Sequence, residues 1–422
     1  QKSMKNNILL TGIIYCLSGA CILQARTWDV APGTALSSVK AAVAGARAFD
    51  TIRVHAGTYR EGGIVVDKPL VICGVDWPLL DGEHSYEPLS IRSSFVSVSG
   101  FHVAHCGETS LADMAGIKVY NAKNVYVFNN ILDDNYFGIY LSNSINCQVS
   151  GNRMTAYGTA EQNSGNGVHA WKCDSIGIYN NSITGHRDGI YFEFVTNSHI
   201  VGNKSEGNIR YGLHFMFSHN DVYEYNTFAN NGSGVAVMYT RNVTMRHNRF
   251  ANNQGGASYA LLLKDIQGSY MADNDFIENT VGIFMEGCTR STLERNVFRQ
   301  NGWAVKVQAS CEENVFRFNN FFANTFDMST NNQLVLNTFD QNYWDKYEGY
   351  DLNRDHIGDV PYHPVSLFAM VSDQMPYAMM FWRSFTVFLL DRAEKIIPSI
   401  SPDNLRDNTP LMKPYVAVTT SK

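Results

Sequence analysis

From Gly116 onward the chain repeats itself about every 22 residues, and no other feature limits its possible folds as strongly. Aligned on a small residue followed by alternating apolar positions, copies begin at Gly116, Gly138, Gly167, Gly189, Gly212, Gly234, Ala260 and Gly282, as in "GIYLSNSINCQVSGNRM" and "GLHFMFSHNDVYEYNTF". The starts lie 22, 29, 22, 23, 22, 26 and 22 residues apart, so two copies carry insertions, and degenerate copies follow near Val305 and Ala323. A unit this short cannot bury an apolar face alone, whereas stacked units can. Alternation with period two over short runs means strands. Fourteen residues after each start stands an asparagine: Asn130, Asn152, Asn181, Asn203, Asn226, Asn248, Asn274, Asn296, Asn319 and Asn337. Stacked amides can bond along a coil, and Asn tolerates the left-handed backbone of a tight turn. The expected fold is all-β: a right-handed, single-stranded parallel β-helix running from about residue 50 to residue 340. The helical stretch "PGTALSSVKAAVAGA" before it would cap its open edge.

Charge and cysteine content narrow the function classes. With net charge −6, 17% charged residues and no basic run, the chain lacks the phosphate-neutralising surface of a nucleic-acid binder. Residues 1–25 place a lysine ahead of the apolar run "ILLTGIIYCLSGACIL" and a short polar exit, the order of a secretory signal. Beyond it the cysteines are Cys73, Cys106, Cys147, Cys173, Cys288 and Cys311, with no Cys-x-x-Cys pair to suggest zinc or thioredoxin chemistry. Their spacing assigns no disulfide.

If the first and third residues after each start point inward, the second and fourth form two outward rows. One runs Lys118, Tyr140, His169, Tyr191, His214, Ala236, Leu262, Phe284; the other runs Tyr120, Ser142, Trp171, Glu193, Met216, Met238, Lys264, Glu286. His214, Met216 and Met238 are neighbours on this face, and an imidazole with two thioethers suits Cu(I). His169 joins them as a further candidate, although two rungs, about 10 Å, separate it from His214. The plainer alternative is a methionine- and aromatic-rich surface that meets a partner. A polysaccharide lyase, hydrolase or epimerase is the competing enzymatic reading, with Asp188 and Glu193 as its carboxylates.

Residues 342–365 close the repeats with "NYWDKYEGYDLNRDHIGDVPYHPV", where Asp351, Asn353, Asp355 and Asp359 alternate in the manner of Ca²⁺ ligands. Residues 366–422 follow. Met375 to Leu390 is apolar but short for a membrane span and interrupted by Arg383. Met375, Met379, Met380, Phe381, Trp382 and Phe385 are therefore read as a docking surface, and the segment after Ile396 as a Pro-punctuated tail.

Three stretches carry a family resemblance: "RYGLHFMFSHN" at 210–220, the closing loop at 342–365, and "VSDQMPYAMMFWRSFTVFLLDRAEKIIPSI" at 371–400. With them the chain resembles the NosD family over nearly its whole length. The resemblance implies a periplasmic, non-catalytic protein peripherally attached to the inner membrane. It implies an ABC transporter of a membrane permease and a cytoplasmic ATPase, a copper chaperone lipoprotein, and apo nitrous-oxide reductase as recipient, with sulfur delivery as the rival cargo. It supplies no ligand set; His214 and Met216 simply fall inside a motif. Family loops commonly hold glycine where this chain has His356.

Overall fold

Three strands make one coil, and each strand pairs only with its counterparts on the coils above and below. The structure is a computed structural model that describes residues 25–109, 113–331, 336–396 and 405–416. The apolar leader run with Cys16 and Cys21, and residues 397–404 of the Pro-punctuated segment, lie outside the described residues. Three parallel sheets of 14, 12 and 13 strands result, a parallel β-helix as the period requires. The 12-stranded sheet contains most of the six-residue strands, the longest present among the described residues: Ala115–Tyr120, Phe137–Ser142, Asp188–Glu193, Tyr211–Met216, Ser233–Met238 and Val281–Glu286. It is called the long-strand sheet below.

The solenoid starts earlier than the repeat suggested. Thr27–Val30 already pairs in parallel with Thr51–Val54, so the helix Val39–Gly45 lies within the first coil. That helix covers the open end by burying Val39, Ala42 and Val43. Ser38 caps it by accepting from the Ala41 N–H, and the Glu61 carboxylate accepts from the N–H groups of Val39 and Lys40 at 2.8 and 2.7 Å. Lys68 closes the other end on the carbonyls of Val43, Ala44 and Ala46. Both ends of a seven-residue helix, too short to be stable alone, are thus held by the coil beneath.

Inside, identical residues stack. Phe228, Phe250, Phe276, Phe298, Phe321 and Trp344 form one buried column with ring centroids 4.1 to 5.6 Å apart. The asparagine column does the work expected of it. The Asn226 Oδ1 accepts from the backbone N–H and the Nδ2 of Asn203 at 2.9 and 3.0 Å, while its own Nδ2 donates to the Ile200 carbonyl at 2.8 Å. Its last member is Asn342, not Asn337: Asn319 bonds to Asn342, and Asn337 receives Asn314 in a different column. A second full ladder, Asn208, Asn231, Asn253, Asn279, Asn301 and Asn324, runs five residues after the first and escaped the sequence reading. His186 occupies a rung of it with both ring nitrogens buried and unpartnered, and burial pushes its pKa down to about 4.

The column ending in Asn314 and Asn337 contains one charged residue. Asp221 is fully buried, accepts from the Ser198 N–H at 2.8 Å through Oδ1, and has no partner for Oδ2. Burial pushes its pKa up to about 8. The folded state therefore holds a proton that the unfolded chain releases near pH 4, so stability falls as pH rises from about 4 to about 8. Asp221→Asn should abolish that slope, because asparagine already serves in this column at Asn314. Thermal melts are expected to coincide for the two proteins at pH 4 and to separate by several degrees, variant higher, at pH 8. Parallel melting curves across that range would refute the assignment.

Candidate functional site

The long-strand sheet places both outward rows as the repeat implied. Lys118, Tyr140, His169, Tyr191, His214, Ala236, Leu262 and Phe284 are successive register partners, and so are Tyr120, Ser142, Trp171, Glu193, Met216, Met238, Lys264 and Glu286. Met216 therefore lies directly against Met238 on the neighbouring rung, about 4.8 Å away along the sheet. His214 is two residues before Met216 on the same strand. His169 does not join them. The Tyr191 ring stands between the two histidines, 4.8 Å from His169 and 5.0 Å from His214, and Tyr140 covers the other side of His169 at 4.4 Å. Burial, with Arg187 adding to it, drives the His169 pKa down to about 3, so its imidazole is neutral.

The outward rows are less open than alternation alone implies. His214 is only 5% exposed, flanked by the rings of Tyr191 and Tyr211. Beneath it lies Asp188, wholly buried and held by both arms of Arg210 at 2.9 and 2.5 Å and by the Tyr211 N–H at 3.2 Å. The His214 Nδ1 sits 3.4 Å from Arg210 Nη2 and 3.7 Å from the Asp188 carboxylate. Burial raises the Asp188 pKa, but hydrogen bonds from His214 and Arg210 and the guanidinium charge outweigh it, and the carboxyl stays below its ordinary range. His214 Nε2 is left buried without a hydrogen-bond partner. Tyr191 Oη meets the Met216 Sδ at 3.6 Å. One tyrosine thus touches both the histidine and the methionine, a role that sequence spacing did not reveal.

This arrangement removes the two-carboxylate reading. Asp188 and Glu193 stand at opposite ends of one six-residue strand, roughly 15 Å apart, and Asp188 is committed to Arg210. Another outward feature went unread because it falls on turn residues. Phe194, Phe217 and Tyr239 stack at one corner with centroids 5.3 and 5.0 Å apart, each more than a third exposed.

In the closing loop the acidic residues fold onto their own backbone. Asp351 accepts from the N–H groups of Arg354, Asp355 and His356; Asp355 accepts from Ile357; Asp359 accepts from Leu352 at 2.7 Å. Asn353 Oδ1 accepts from the Asp355 N–H and its Nδ2 donates to the Asp355 carboxylate, both at 3.0 Å. The loop is thus held by its own acidic side chains turned back onto its backbone. The cysteines are free among the described residues, and burial pushes the Cys106 and Cys173 thiols up to about 12.

The C-terminal segment folds as helix Leu367–Gln374, a 3₁₀ turn Pro376–Phe381 and helix Phe385–Ile396. Phe368 and Trp382 stack on each other at 5.9 Å and both pack against Phe326 of the last long strand, and Lys306 pairs with Asp373 at 2.5 Å. Of the six residues read as docking, Met379 is partly buried against this cluster and Trp382 packs in it. Met375, Met380, Phe381 and Phe385 are 63, 85, 62 and 72% exposed. Tyr377, Phe388 and Leu389 extend the same surface. No helix among the described residues is long and apolar enough to cross a membrane.

The family model described as "Periplasmic copper-binding protein (NosD)" matches residues 154–351, which hold the two rows from His169 and Trp171 onward and the start of the closing loop. The chain is 25% identical over 412 residues to the "Probable ABC transporter binding protein NosD" of Stutzerimonas stutzeri, covering 86% of each. The chain is NosD-like over nearly its whole length. The NosD of Pseudomonas aeruginosa, under the same description, is 27% identical over 85% of this chain and 87% of its own. Solved structures extend the fold beyond NosD. The catalytic unit of a GH87 α-1,3-glucanase from Streptomyces thermodiastaticus superposes with a TM-score of 0.58 at 12% identity, covering 72% of this chain and 65% of that one. The adhesin PfbA of Streptococcus pneumoniae gives 0.51 at 11% identity over 68% and 91%. Identities this low attest to the solenoid alone.

Proposed function

We propose that this chain is the periplasmic, non-catalytic subunit of a copper-handling ABC transporter assembly that serves maturation of nitrous-oxide reductase. The observation that carries the reading is the likeness to NosD proteins over 86 and 85% of the chain. Its partners in this reading are a membrane permease with its cytoplasmic ATPase, a copper chaperone lipoprotein and the apo reductase. It sits at the outer face of the inner membrane, held through the exposed Met380, Phe381 and Phe385 surface.

Copper is the cargo, and the residues fit a soft ion. Met216 and Met238 offer two thioethers on adjacent rungs, and His214 offers a ring nitrogen with no other partner. Arg210 and Asp188 fix the histidine ring from behind, as second-layer groups do for metal-binding imidazoles. The burial of His214 makes this a guarded station that the tyrosines must open to load.

The test is anaerobic Cu(I) titration of the full chain against a competing chelator. His214→Ala and Met216→Ala are each expected to weaken binding at least tenfold, and His169→Ala to leave it unchanged. Binding indifferent to the first two changes would leave the chain a scaffold and remove the station.

A further inference from the structure

The irregular early coils bring together a second set of ligands, far from the long-strand rows. Asp81, Ala104 and Asp133 are register partners on three consecutive coils, so the residues that follow turn the same corner one above another. His105 and Asp134 are the next residues on two of those coils, and His84 enters from the third, its N–H donating to the His105 carbonyl at 2.8 Å. Their metal-binding atoms all lie within 4.8 Å of one another, and no other group of three His, Cys, Asp or Glu among the described residues does this. The imidazole rings of His84 and His105 are 4.7 Å apart.

A backing layer orients the central ligand. His105 Nδ1 is 3.0 Å from Asp81, whose side chain is 8% exposed and is itself held by Arg60 at 3.1 Å and by the Glu83 N–H at 3.1 Å. A buried carboxylate on Nδ1 fixes the ring and leaves Nε2 for an ion, the usual construction behind a metal-bound histidine. Beside the cluster opens a cavity of ≈ 270 Å³ bordered by His84, Asp134 and Glu108, which gives water access to the remaining coordination positions. Cys106 borders it too, but its sulfur accepts from the Tyr136 N–H at 3.0 Å and burial keeps it a thiol.

From this geometry we propose that His84, His105 and Asp134 bind a divalent transition-metal cation. Two imidazoles and one carboxylate match Zn²⁺ or Cu²⁺, whereas a Cu(I) station calls for sulfur. Ligand atoms around such an ion at ~2.1 Å lie about 3.4 Å apart, so rotations of side chains at an accessible corner close the site. The proposal is independent of the His214 station. It lies outside residues 154–351 and uses neither methionine.

Zn²⁺ titration of the chelator-treated full chain by calorimetry tests it, since zinc has little affinity for thioethers. One Zn²⁺ per chain is expected. His84→Ala and Asp134→Asn should each weaken binding at least tenfold, and Asp81→Asn about tenfold through the ring it orients. His214→Ala should change nothing. His84 is exposed, so its loss should leave the melting curve of the metal-free protein in place, which separates ligation from folding. Absence of stoichiometric binding, or affinity unmoved by both His84→Ala and Asp134→Asn, would overturn the site.

Discussion

Replacing Met380, Phe381 and Phe385 together by aspartate should abolish co-purification with the membrane permease while leaving the solenoid intact. The three side chains are 85, 62 and 72% exposed, so none contributes to the core that holds the segment in place. That core is Phe368, Trp382, Ala369 and Val387 against Phe326, with Lys306 and Asp373 at its edge. An exposed patch of methionine and aromatic side chains on a firmly seated support is how a soluble domain presents itself to an apolar partner. Three buried charges in such an interface would cost several kcal/mol each if unpaired, which no interface of ordinary affinity survives. The check is a pull-down from detergent-solubilised membranes with thermal melts alongside. Retention of the permease by the triple variant, with melting unchanged, would show that the transporter is met elsewhere.

Asp407→Ala should destabilise the C-terminal coils by about 3 kcal/mol, while Asp407→Asn should be nearly neutral. The main asparagine ladder ends at Asn342: one Nδ2 hydrogen goes to the Phe316 carbonyl at 3.0 Å, but the other and the backbone N–H would point out of the last coil without acceptors. Asp407, wholly buried, supplies the missing rung: its Oδ2 accepts from both at 2.9 and 3.0 Å and from Trp344 Nε1 at 3.2 Å. Its backbone pairs with Tyr362 in both directions at 2.9 Å, and residues up to Tyr415 continue across the end onto Asn320. Alanine strands three buried donors, each worth about 1 to 3 kcal/mol when unpaired. Asparagine keeps an acceptor oxygen in place and removes a carboxyl whose pKa burial raises. Chemical denaturation of the two variants decides this, and equal losses would mean that the acceptor is not what matters.

That cap shows where sequence reading stops. Asp407 and Asn342 are 65 residues apart, and nothing in a tail of Pro, Asp and Asn announces that one aspartate will act as the final asparagine. The coils were legible because each repeats the same pattern, and the register confirms both outward rows residue by residue. Asn337 was misplaced because Asn314 and Asn337 are spaced like Asn319 and Asn342, five residues out of step. Exposure was not legible: alternation sent His214 outward, but Tyr191, Tyr211 and Arg210 enclose it. His84 and His105 were missed since the early coils lack the asparagine signal, and only the three-dimensional corner unites them.

The central claim is that this chain handles copper for an ABC transporter serving nitrous-oxide reductase, and copper content of the reductase tests it most directly. In a denitrifying host lacking the chain, the purified reductase should contain little copper. Restoring the wild-type chain should restore full loading, and restoring the Met380, Phe381, Phe385 aspartate variant should not. Reductase fully loaded with copper in the absence of the chain would contradict the account.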